Sequence, residues 1–110
     1  MKWTYNKSCS KYRNQPTVVD GFRFDSKMEA KYYGQLKQMK QAGLILYCDI
    51  HPVFRITPGV KYEADFTVYY ADGRIEVVDV KGVETQAFKI KRKEFDRLHP
   101  LAPLVIIKKV

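Results

Sequence analysis

The chain has only two cysteines in 110 residues, Cys9 and Cys48. Neither has a CxxC neighbourhood or a nearby histidine, so a zinc site and a disulfide framework are both excluded. Both are expected to be free thiols in a reducing compartment. Long apolar runs are missing as well. The longest, Leu101-Ala102-Pro103-Leu104-Val105-Ile106-Ile107, is interrupted by proline and too short to span a bilayer. The first residues, Met1-Lys2-Trp3-Thr4-Tyr5, include a lysine but no apolar segment, so no secretory signal is expected. There are no internal repeats and no low-complexity linker. Acidic residues are absent from the first thirteen positions, which carry Lys2, Lys7, Lys11 and Arg13.

What is present is basic and apolar enough to fold. Hydrophobic residues make up 45% of the chain and aromatics 14%, which indicates a globular protein and excludes an extended, disordered one. The length suits one domain with a single modest core. The net charge is +8, with a pI near 9.5. That favours a polyanionic partner, nucleic acid first and a membrane surface second; the bland alternative is a merely soluble basic protein. Residues 1–16 lack periodicity and read as a basic arm. Residues 17–110 read as one domain, with a second basic cluster at Lys89-Ile90-Lys91-Arg92-Lys93.

Turn and cap signals order the domain. Asp20-Gly21 between Thr17-Val18-Val19 and Phe22-Arg23-Phe24 predicts a two-residue hairpin. Ser26-Lys27-Met28-Glu29 fits a capping box, and Met28, Tyr32, Leu36 and Met39 recur at helical spacing. Gly43 is the expected C′ residue. Strands are predicted over 44–50, 53–56, 62–70 and 74–80, with Pro58-Gly59 as a type II turn. A helix over 88–98, with Phe88, Phe95 and Leu98 buried, precedes a closing strand over 104–107. The order predicts a mixed α/β domain: a mixed sheet with helices packed on it, preceded by a short β-hairpin.

The loop Ala71-Asp72-Gly73 decides where the acids fall. A three-residue loop with Gly73 at positive φ sets Tyr70 opposite Arg74. Counting back then sets Thr67 opposite Val77 and Asp65 opposite Asp79. A two-residue loop would send the two carboxylates to opposite faces. Like charges directly opposite are destabilising unless a cation lies between them. Lys81, two residues after Asp79, projects from the same face. Two carboxylates and an ammonium on one sheet face suit a divalent metal beside a phosphodiester; the bland alternative is a surface ion-pair cluster.

Two further residues have two readings each. Glu29 either completes the cap by accepting from the Ser26 N–H, or faces the Asp pair as a ligand of metal or water. Lys91 lies within the buried stripe of the second helix, three after Phe88 and four before Phe95. It either snorkels to the edge or reaches the carboxylates and the scissile phosphate. Lys89, Arg92, Lys93 and Arg97 form the solvated face. Tyr5, Tyr12 and Tyr33 are candidates for stacking on unpaired bases, or for core and rim packing. His51 and His99 lack the partner motif of a His–metal nuclease and receive no role.

With these residues in place, the chain resembles the PD-(D/E)xK phosphodiesterase superfamily. It is most similar to a small phage- and prophage-encoded branch related to Holliday-junction resolvases and recombination endonucleases. The resemblance runs from about Tyr12 to the end. It is carried by Val19-Asp20-Gly21, Phe24-Asp25-Ser26-Lys27-Met28-Glu29-Ala30, Tyr62-Glu63-Ala64-Asp65-Phe66, Val78-Asp79-Val80-Lys81-Gly82 and Phe88-Lys89-Ile90-Lys91-Arg92-Lys93. It implies an αβββαβ, restriction-endonuclease-like core. It also implies Mg²⁺-dependent DNA cleavage, with Mn²⁺ able to substitute. Glu29, Asp65, Asp79, Lys81 and Lys91 take the catalytic positions. Asp65, Asp79 and the Val80 carbonyl would hold the metal, and Lys7, Lys11, Arg13, Lys89, Arg92 and Lys93 would contact DNA. Ala64 stands where the motif has proline, which removes no ligand. A homodimer acting on DNA, alongside phage or host recombination proteins in the cytoplasm of a bacterial cell, is the corresponding expectation. The competing classes are a non-catalytic DNA-binding or assembly module and, with no RNP, KH or dsRBD signature, an RNA-binding protein.

Overall fold

The computed structural model describes residues 16–81 and 84–110. The basic arm, with Tyr5, Lys7, Cys9, Lys11, Tyr12 and Arg13, and the motif residue Gly82 lie outside the described residues. The elements are β1 (Thr17–Val19), β2 (Phe22–Phe24), α1 (Lys27–Gln41), β3 (Ile45–Ile50), β4 (Val53–Thr57) and β5 (Val60–Glu63). They continue with β6 (Phe66–Tyr70), β7 (Ile75–Val80), α2 (Gln86–Leu98) and β8 (Leu104–Ile107). Strands β3, β6, β7 and β8 form one mixed sheet in that order, antiparallel except for β7–β8. The hairpins β1–β2 and β4–β5 form separate two-stranded sheets. The protein is thus a mixed α/β fold. Its α1, β3, β6, β7, α2, β8 order matches the expected αβββαβ series, with the β4–β5 hairpin inserted.

The local signals act as their chemistry requires. Asp20 and Gly21 both have positive φ, 53° and 80°, and join Val19 to Phe22 in a two-residue turn. Ser26 caps α1, its Oγ accepting from the Glu29 N–H at 3.1 Å. At the other end Gly43 has φ 81° and donates to the Lys40 carbonyl, while Leu44 donates to Met39. That pair of bonds is the Schellman motif, and it satisfies carbonyls the helix leaves open.

The sheet separates two apolar layers. On one side α1 and Phe24 pack Tyr32, Tyr33 and Leu36 against Ile45, Phe66, Val68, Val78 and Val80. On the other, Phe88 and Phe95 of α2 meet Ile56, Tyr62, Val77 and Leu104. Alternation along β7 therefore places Asp79 on the α2 side, with Val77. Leu98 is exposed, contrary to its expected place in the buried stripe. It is the last helical residue, and His99 instead lays its imidazole on Phe95 and Phe54, at 4.6 and 5.6 Å between centroids. His99 is thus a packing residue.

Two stability predictions arise in these layers. The buried Tyr62 hydroxyl has no hydrogen-bond partner among the described residues. Tyr62→Phe removes only a hydroxyl that makes no bond, so its unfolding free energy in urea denaturation should stay within about 1 kcal/mol of wild type, on the stabilised side. Tyr69, stacked on Tyr47 at 4.4 Å, has its phenol pushed up to about 12, first by burial and then by its bond to Asp49. The folded state holds that proton more tightly than the unfolded state, where the ordinary value is 10.0. The contribution is complete below pH 10 and is lost as pH rises through 12. Alkaline unfolding of Tyr69→Phe should therefore show a shallower loss of stability over that window.

Candidate active site

The expected strand over 62–70 is two strands, broken at Ala64-Asp65. The break has a chemical cause. Asp65 Oδ2 accepts from the Val80 N–H at 2.8 Å, so a side chain replaces a ladder carbonyl. The Asp65 N–H in turn lies 3.1 Å from both the Val78 carbonyl and Asp79 Oδ1. Each carboxylate is therefore locked to the other strand's backbone.

The predicted register is observed. Phe66 pairs with Val78, Thr67 with Val77 and Tyr69 with Ile75, and the Tyr70 N–H donates to the Arg74 carbonyl. Gly73, with φ 97°, closes the three-residue loop. The paired register stops at Phe66 and Val78; Asp65 lies just before β6, and its N–H brings it to Asp79 through the Oδ1 bond rather than as a ladder pair. Both are buried, at 1% and 0% exposure. Two adjacent acids removed from water are costly as a doubly ionised pair unless a positive charge lies nearby.

The other expected site residues lie on different elements, Lys81 and Lys91 on the α2 side and Glu29 in the α1 layer. Lys81 follows β7 directly. Its N–H donates to the Ile107 carbonyl and its ammonium lies 4.5 Å from the Phe88 ring centroid, a cation–π contact. Lys91 is partly buried on α2, and burial pushes its ammonium below the ordinary value. Glu29 is 2% exposed at the third position of α1, and its Oε1 lies 3.0 Å from His51 Nε2. The capping half contributed by Ser26 is present, so Glu29 has its backbone in the cap and its carboxylate on a histidine.

His51 is the residue sequence reasoning passed over. Its N–H donates to the Asp65 carbonyl at 2.9 Å, while its side chain meets Glu29. Counting along β3 and β6, where Ile50 faces Phe66, would have set it beside Asp65. Its link to Glu29 depends on a φ of 55°, which no sequence signal announced.

The DNA-contact candidates divide. Lys89, Arg92 and Lys93 line a surface groove of about 400 Å³ on α2, with Gln86, Ile90 and Asp96. Arg92 is also paired with Glu84 at 3.4 Å, and Lys108 reaches Glu84 at 2.9 Å. Tyr33 is a core residue: it is 8% exposed, stacks on Phe66 and donates its hydroxyl to Asp20. Its apolar neighbours Phe24 and Phe66 take its ring, which leaves no face for a base.

The donor chemistry fits a hard divalent cation. Among the described residues no three His, Cys, Asp or Glu side chains converge as a metal cage. Mg²⁺ does not require one: it characteristically binds through one or two carboxylates and retains several waters. Asp65 and Asp79, each oriented by a backbone N–H, supply two such carboxylates.

Together these features define a mixed α/β protein with an acidic centre at the interrupted junction of two sheet strands. The chain belongs to the family described as Protein of unknown function (DUF1064), which matches residues 9–109. No curated protein and no solved structure matches it. Among the described residues, no helix is long and apolar enough to cross a membrane.

Proposed function

We propose that this chain is a Mg²⁺-dependent DNA endonuclease of the PD-(D/E)xK type. The observation that carries the reading is the opposed, buried pair Asp65 and Asp79, each held in orientation by the other strand's N–H. Asp65, Asp79 and the Val80 carbonyl would hold the metal. When bound, Mg²⁺ supplies a Lewis acid for the phosphate and lowers the pKa of a bound water.

The chain's own residues do the rest. Lys81, on the same face as Asp79, orients the attacking water or stabilises charge developing on the phosphate. Glu29 assists through a water or a second metal, and Lys91 adds positive charge from α2. Lys89 and Lys93 contact phosphates and give affinity with little sequence readout, as the basic arm would. One chain carries one such site, so symmetric cleavage of two strands requires a dimer. The reading assigns the activity to DNA recombination, replication or repair in a bacterial cytoplasm, with phage or host proteins as partners.

The test is cleavage of branched, duplex and single-stranded DNA with Mg²⁺ or Mn²⁺. Wild type should cut at least one of them, and Asp79→Ala none. Absence of cleavage on every substrate with either metal would leave the non-catalytic DNA-binding module as the better reading.

A further inference from the structure

We infer that His51 is a positioning residue that fixes the Glu29 carboxylate relative to the strand carrying Asp65; the inference rests on the nuclease reading above. Alternation along β3 puts Tyr47 and Asp49 opposite Tyr69 and Thr67, on the α2 side of the sheet. His51 is next in that series and keeps the register, its N–H donating to the Asp65 carbonyl. A regular strand would turn its imidazole to the α2 side as well. Instead φ is 55°, and the ring meets Phe24 at 5.9 Å and Glu29 Oε1 at 3.0 Å, both in the α1 layer.

A non-glycine residue at positive φ persists only where its surroundings over-determine it. Here they do so from two sides. Pro52 follows, and its carbonyl accepts from the Ala64 N–H at 3.0 Å. Consecutive residues 51 and 52 are thus clamped to residues 65 and 64. The strained backbone of His51 is tied to the Asp65 segment and its side chain to α1.

Glu29 needs such a partner. It stands on a helix in a different layer from the Asp pair, and a glutamate has three rotatable bonds. The imidazole removes that freedom and sets the carboxylate at a constant offset from Asp65. His51 acts through Glu29 and need not contact the phosphate.

The experiment compares full-length wild type, His51→Ala, His51→Gln, Glu29→Gln and the double variant His51→Ala/Glu29→Gln. Single-turnover rates are measured with Mg²⁺ on the DNA that wild type cuts fastest. His51→Ala should lower the rate about 10–100-fold, the range for loss of a supporting partner, with KM for DNA changed less than about twofold. His51→Gln, whose amide nitrogen falls near the Nε2 position, should recover part of the loss. In the Glu29→Gln background, His51→Ala should add nothing. A readout independent of activity is the ¹⁵N resonance of His51 Nε2, which should move in Glu29→Gln. If His51→Ala does not fold, His51→Asn serves in its place, since asparagine tolerates positive φ.

An unchanged rate in the folded His51 variant, or losses that simply add, would overturn the inference while leaving the nuclease reading in place. An Nε2 resonance indifferent to Glu29→Gln would overturn it too. Wild type without metal-dependent cleavage would instead end the nuclease reading, and this role with it.

Discussion

Asp79→Asn should make the metal-free protein more stable and the enzyme nearly inactive. The amide keeps an oxygen where Asp79 Oδ1 now accepts from the Asp65 N–H. It removes one of two adjacent buried acids, and with it the repulsion of the doubly ionised pair. Like charges directly opposite are destabilising, so the unfolding free energy in chelator should rise by about 1 kcal/mol. With Mg²⁺, cleavage should fall by about 10²–10³-fold, because one of the two carboxylates assigned to the metal is gone. Asp79→Ala separates the two effects. It also removes one of the two acceptors of the buried Asp65 N–H and empties the space of a fully buried side chain, which together cost about 1–3 kcal/mol. Stability should therefore rise in one variant and fall in the other, while activity is lost in both. Urea denaturation in chelator and single-turnover cleavage measure the two sides.

The largest effect on folding is expected from Phe66→Ala. Phe66 is fully buried and its ring meets Phe24, Tyr32 and Tyr33, with centroids at 6.0, 5.6 and 6.4 Å. Truncation removes the partner shared by the β1–β2 hairpin and α1, and the cavity costs about 3–5 kcal/mol. A domain of this size has about 5–15 kcal/mol in total. The urea midpoint should drop by a large fraction with an unchanged slope. Because Phe66 follows Asp65 directly, Phe66→Leu, which keeps most of the volume, should cost less than about 1.5 kcal/mol and retain cleavage.

The parts of the fold that local chemistry decides were legible in the sequence. Asp20-Gly21, Ser26, Gly43 and Gly73 each specify a backbone conformation at short range, and the Thr67–Val77 register beside the two acids follows from counting through one loop. The features that escaped are set by tertiary contacts. The strand break at Ala64-Asp65 exists because a side chain takes a ladder bond from Val80, and an alternating pattern looks the same with or without it. Leu98 had the right spacing for the core, but His99 ends the helix and packs there instead. The role of His51 depends on one positive φ, and histidine before proline carries no strong signal for it. Tyr33 lies outside the expected Met28, Tyr32, Leu36 and Met39 stripe, and it is buried because the tertiary partners Phe24 and Phe66 take its ring.

Calorimetric titration of the metal-free, full-length protein with Mn²⁺ tests the central claim, that Asp65 and Asp79 together form a cation site. Saturable binding by wild type is predicted, weakened at least about tenfold in both Asp65→Asn and Asp79→Asn. Wild type that takes up no Mn²⁺ at millimolar concentration, or variants that bind it as tightly as wild type, would contradict the claim.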